Sequence, residues 1–156
     1  MLPSFYNNNY QIVQSPGYVV ILLEMIHDVR VIPTDGRDHL PDNVRSWLGD
    51  SVGHWEGDTL VVDTTNYNDQ MNFRGANVNL HVVERFTRSD EDTLMYAFTV
   101  EDSTTWERPW SGEIPMLATE GPIYEYACQE GNASLAGVLS GARVREAREA
   151  EAGEAN

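Results

Sequence analysis

Residues 53–67 read GHWEGDTLVVDTTNY. Gly57-Asp58 is a two-residue link of the kind that closes β-hairpins, and runs bearing Trp, Val and Thr flank it on both sides. The stretch reads as two antiparallel strands. It places Trp55 and Asp63 where a small barrel would keep its interior.

Working outward, the same pattern repeats. YQIVQ (residues 10–14) precedes a Ser15-Pro16-Gly17 turn, in which Pro presets one position and Gly accepts the next. YVVILLEM (18–25) then runs through Ile26-His27-Asp28 into VRVIP (29–33), and Asp35-Gly36 turns the chain again. LHVVERFTR (80–88) and TLMYAFTVED (93–102) are joined by a polar turn, and WSGEIPML (110–117) and PIYEYAC (122–128) are weaker candidates. Short strands at near-regular spacing, with no helices between them, predict an antiparallel meander. We expect a mainly β fold, a single antiparallel β-barrel of about eight strands, because closure leaves no unpaired edge. In LPDNVRSWLG, Leu40, Val44, Trp47 and Leu48 share one helical face, which predicts a short helix over 41–48 capping one mouth. Leu135, Val138, Leu139 and Ala142 predict a C-terminal helix. The barrel domain is thus expected over residues 1–139, with a charged tail rich in Ala, Glu and Arg over 140–156.

The 156 residues suit one domain, large enough to bury a core without disulfides. The net charge of −15 comes from 25 acids against 10 bases, every base being Arg. Without Lys there is no Schiff base, no pyridoxal-phosphate anchor and no P-loop. An acidic surface repels a phosphate backbone, so nucleic acid is not an expected partner. Cys128 is the single cysteine and reads as a buried, inert thiol rather than part of a metal site. No apolar run reaches the length of a membrane span. MLPSFYNNNY lacks a signal peptide's basic and hydrophobic parts, so the chain reads as cytoplasmic, or as exported if it is trimmed.

GHWEGDTLVVDTTNY, EMIHDVRVIPTDGR and LHVVERF together resemble a bacterial protein family carrying a GxWEGDTLVVDT motif, over most of residues 10–128. The resemblance implies no activity. It implies longer relatives with an additional N-terminal region and an export signal. A Trp before a Gly-Asp turn is also similar to lipocalin (calycin-like) barrels, in architecture alone.

Side-chain alternation supplies the chemistry. In LHVVERF, Leu80, Val82, Glu84 and Phe86 point one way, which sets Glu84 in an otherwise apolar phase. A buried carboxylate is either a tuned acid/base or one half of an ion pair with a neighbouring Arg. His27 ends the phase Val19, Ile21, Leu23, Met25 and titrates near neutrality; its alternative is a hydrogen-bonded residue beside a turn. Asp63 shares the phase of Val61 and can orient a His or bind a substrate hydroxyl. Glu84, His27 and Asp63 are therefore the catalytic candidates. Trp55, Tyr96, Phe98, Arg30 and Arg37 are substrate-binding candidates, the aromatics as cavity lining and the two Arg as carboxylate holders. His27, His39 and His81 are the candidate ligands if a metal is held from separate strands, although no local ligand spacing appears. Gly49-Asp50-Ser51-Val52-Gly53 matches G-x-S-x-G in the wrong context, a turn before a strand, which leaves Ser51 a remote nucleophile. The resulting expectation is a cofactor-independent acid/base enzyme of isomerase, lyase or cyclase type, acting on a small apolar or cyclic molecule. A non-catalytic carrier and a metal-dependent enzyme are the alternatives, and a homodimer is admitted.

Overall fold

The computed structural model describes residues 8–124 and 134–154. Eight antiparallel strands form two sheets. β1 (Tyr10–Ser15), β2 (Tyr18–Leu23) and β3 (Val29–Pro33) make the smaller. β4 (Asp50–Glu56), β5 (Thr59–Thr65), β6 (His81–Arg88), β7 (Thr93–Glu101) and β8 (Trp110–Leu117) make the larger, in sequence order. Every ladder joins chain neighbours. The Gly57-Asp58 hairpin pairs Glu56 with Thr59, and Gly57 takes φ +59° as its first turn residue while Asp58 stays at negative φ, a type II′ turn matched to strand twist.

The core lies between the sheets. Val19, Ile21, Leu23 and Ile32 of the smaller sheet meet Leu60, Val62, Phe86, Tyr96, Phe98 and Val100 of the larger. Phe86 stacks on Tyr96 at 4.9 Å, Tyr96 meets Phe98 at 5.7 Å, and Phe98 meets Trp110 edge-on at 5.7 Å, so an aromatic row fills this space. β3 and β4 lie side by side without a ladder. A Cβ on Gly53 would stand 2.9 Å from the Ile32 Cγ2 and 3.2 Å from the Thr34 Cγ2, so glycine lets the sheets approach here.

Among the described residues the ladders divide the strands three and five and do not by themselves join them into one ring. Two expectations are corrected. Residues 41–48 form turns rather than a capping helix. Their backbone bonds outward, from Ser46 N to Asn66 O and from Asn68 N to Ser46 O, while the Asn66 amide holds the Leu40 carbonyl. So short a segment cannot offset these tertiary bonds with one helical turn. β2 stops at Leu23, and Met25–His27 is a 3-10 turn with His27 at φ +57°, so the alternation that aimed His27 inward is broken. The outer face of the smaller sheet is uncovered within its unit, with Val13, Val29 and Val31 exposed.

Residues 122–124 form no strand, and residues 125–128, with Cys128, lie outside those described. The chain divides into two compact units, Met1–Glu125 and Tyr126–Asn156. The second holds α1 (Ser134–Glu154), so the helix expected from its apolar stripe is present.

Candidate functional site

Two polar constellations occupy opposite faces of the larger sheet. The first is inside. Glu84, on β6, falls in the inward phase that its neighbours Val82 and Phe86 define, and is 1 % exposed. Arg30 reaches across from β3. Its Nη1 donates to Glu84 Oε1 at 3.0 Å and its Nη2 to Oε2 at 2.5 Å, a bidentate pair. The Tyr96 hydroxyl donates to Glu84 Oε1 at 2.9 Å. Arg30 Nη2 also donates to Ser51 Oγ and Thr64 Oγ1, both at 3.1 Å, and these two hydroxyls stand 2.9 Å apart. One cation thus ties β3 to β4, β5, β6 and, through Glu84, β7.

Burial alone would raise the Glu84 pKa, but the Arg30 charge and the hydrogen bonds from Arg30 and Tyr96 outweigh it and hold the carboxyl far below its ordinary value. Burial lowers the Arg30 pKa, and Glu84 more than restores it. Burial, with the nearby Glu84 charge, pushes the Tyr96 phenol well up, and burial does the same for Tyr10 and Tyr67. The phenols therefore remain protonated donors, and Glu84 remains ionised. A locked ion pair of this kind supports the structure and does not exchange protons near neutrality.

The second constellation is outside. Asp63, on β5, points away from the core because it lies one residue out of phase with Val62 and Thr64. His81 Nε2 lies 3.0 Å from Asp63 Oδ2 and 3.1 Å from Oδ1. His39 arrives on the loop before β4 and bridges two acids, with Nε2 3.0 Å from Asp63 Oδ1 and Nδ1 2.8 Å from Asp50 Oδ2. Asp50 Oδ2 also accepts from the Leu40 backbone N at 2.9 Å, which fixes that loop. Glu101 Oε2 stands 3.9 Å from His81 Nδ1. The hydrogen bond to Asp63 raises the His81 pKa against the opposing effect of burial, and the same bond lowers that of Asp63. Both side chains are 36 % exposed. An imidazole held by a carboxylate at the water boundary can donate and recover a proton.

A shallow depression of about 350 Å³ occupies the same outer face, lined by Val83, Arg85, Ala97, Thr99, Ser111 and Glu113 among others. Val83 is the register partner of Asp63 and lies two residues from His81. Arg85 donates to Glu56 at 2.6 Å.

The other candidates are dispersed. His27 sits exposed in the 3-10 turn between β2 and β3. Trp55 is in the inward phase but at the hairpin end, half exposed, against a cleft that includes the β1–β2 turn. Tyr96 and Phe98 pack within the core. Arg37 pairs with Asp35, whose pKa its hydrogen bonds lower to about 2, and it donates to the Tyr18 hydroxyl at 2.9 Å. Ser51 faces inward onto Thr64 and Arg30. Of the metal-ligand candidates, His39 and His81 meet at Asp63 and His27 does not; among the described residues no group of three or more His, Cys, Asp or Glu is arranged to hold a metal ion. Sequence reasoning did not assign roles to Asp50 and Thr64. Comparison with protein-family models, with curated proteins and with solved structures gives no match for this chain.

Proposed function

We propose that this β domain performs cofactor-independent proton transfer on a small, largely apolar or cyclic molecule, as an isomerase, lyase or cyclase does, with His81 as the acid/base. The observation that carries this reading is the sharing of Asp63 between two imidazoles at the edge of solvent. Asp63 orients His81, and His39 and Asp50 hold Asp63 in place. The neighbouring depression, with apolar walls from Val83 and Ala97 and hydroxyls from Thr99 and Ser111, is the proposed seat of the substrate. Glu84 and Arg30 serve the fold in this reading. The approach of β3 to β4 at Gly53 and the reach of Arg30 across the interior support a barrel-like, calycin-type closure of the two sheets as the architecture behind it.

The test is solvent exchange in D2O. The protein is incubated with a panel of small cyclic ketones and esters, and proton NMR follows deuterium entry beside the carbonyl. His81→Gln is expected to slow exchange about 100-fold without loss of fold. Exchange that survives His81→Gln would assign the proton transfer to another group, and a wild type that catalyses none would favour a carrier; either overturns the reading.

A further inference from the structure

With β3 and β4 side by side where the sheets meet, β1 and β8 are the outer edges of the fold. An open strand edge pairs readily with another strand, and folded proteins blunt it with proline or charge. β8 carries both, Pro115 and Glu113. β1 carries neither. Its sequence is YQIVQS, and residues 8–23 hold no acidic or basic side chain, in a chain whose net charge is −15. Ile12 and Val13 are 38 % and 48 % exposed. The hydrogen bonds flanking β2 fix the direction of the β1 backbone. Glu24 N donates to Asn9 O, so the odd-numbered residues of β1 turn their amides and carbonyls toward β2; Leu23 N donates to Asp28 O, the matching alternation on the far side of β2. Ile12 and Gln14 therefore aim theirs away from β2, and no strand pairs that side among the described residues.

Side-chain alternation sets the register that such an edge accepts. Val13 shares the outer face with its partner Val20, and Ile12 the inner face with Ile21. A twofold axis perpendicular to the sheet keeps each face continuous only if odd stands opposite odd and even opposite even. Centred on Val13, that axis sets Ile12 of each copy opposite Gln14 of the other, where the two exchange both backbone hydrogen bonds. It brings Val13 against its own copy at the close spacing of a non-hydrogen-bonded pair. Charge selects the partner. Two copies at −15 repel one another, and this uncharged strand is where they meet at least cost; it offers no carboxylate to hold a basic peptide. We propose that β1 pairs antiparallel with β1 of a second copy, joining the two three-stranded sheets into one. The contact is small, so the dimer is weak and reversible. It stands whether or not His81 transfers protons.

Sedimentation equilibrium of the full chain tests this, from about 0.01 M to about 1 M salt. The screening length falls from about 30 Å to about 3 Å across that range, so dimerisation is expected to tighten at least about tenfold. Gln14→Pro removes an outward donor from each copy and leaves the β1–β2 ladder intact, and Val13→Glu sets two carboxylates against each other. Each is expected to weaken the dimer about tenfold or more. Leu117→Glu, on the other edge strand, is expected to leave it unchanged. Circular dichroism checks the fold of every variant, and Val13→Glu, at an exposed position, decides alone if Gln14→Pro unfolds. Amide exchange at Ile12 and Gln14 is expected to slow as the protein is concentrated. A chain that stays monomeric throughout, a dimer that salt weakens, or one indifferent to Val13→Glu would each overturn the inference. Protection of both amides in the monomer would do so too, since another segment of the same chain would then hold the edge.

Discussion

Glu84→Gln tests the central claim about the interior. The change preserves shape but leaves the Arg30 charge enclosed opposite an amide. Removing one member of a buried ion pair costs about 3–5 kcal/mol, and the Ser51 and Thr64 hydroxyls that still solvate Arg30 place this case near the lower figure. For a domain of this size each kcal/mol moves Tm by about 4 °C, so a fall of about 12 °C or more is expected by calorimetry. The sign with pH is fixed by the carboxyl. Its folded pKa lies below its unfolded value, so its contribution is complete above the unfolded value and is lost as pH falls through that value toward the folded one. The gap between wild type and variant should accordingly narrow below about pH 4. Replacing both partners, as Arg30→Met with Glu84→Leu, removes the stranded charge and should recover most of the lost stability. A fall in Tm under about 4 °C for the single variant, or no recovery in the double, would refute the assignment.

Asp63→Asn should lower the pKa of His81, read from its ring-proton shifts against pH, because it removes the bond that stabilises the imidazolium. The stabilisation that this bond supplies is present below the unfolded His pKa and fades as pH rises through the folded one, so the variant should lose its deficit at alkaline pH. Gly53→Ala should cost about 1–3 kcal/mol in denaturant unfolding, since its methyl must displace the fully enclosed Ile32. Thr64→Val should cost about 1–2 kcal/mol, because Arg30 Nη2 and Ser51 each lose a partner of like shape but no polarity.

Alternation made the strands legible, and with them the inward aim of Glu84, because a period of two needs only local sequence; it did not say which face of β5 was inward, and Asp63, expected in the interior, faces outward. The turn chemistry of Ser15-Pro16-Gly17 and Gly57-Asp58 located the hairpins for the same reason. What the sequence hid is long-range. The partner of Glu84 lies 54 positions away, and Arg30 in VRVIP resembles any other strand arginine. His39 meets Asp63 only because the loop before β4 folds back onto the sheet, which no spacing encodes. The apolar face of residues 41–48 matches a helix well, yet Asn66 and Ser46 divert its backbone into tertiary bonds. His27 was misplaced because alternation was extended past Leu23, where the chain had already turned.

Every ladder in both sheets joins strands adjacent in the chain, whereas the Arg30–Glu84 contact spans the two sheets. That division has a kinetic consequence. Each meander can form from its own hairpins with little loop entropy lost, so folding should be rapid for an all-β chain. The guanidinium finds its carboxylate only once both sheets stand and water has left the space between them. Stability drawn from that contact therefore resides mostly after the folding barrier. Glu84→Gln should quicken unfolding far more than it slows folding, so that the polar pair governs how long the native state lasts rather than how soon it is reached.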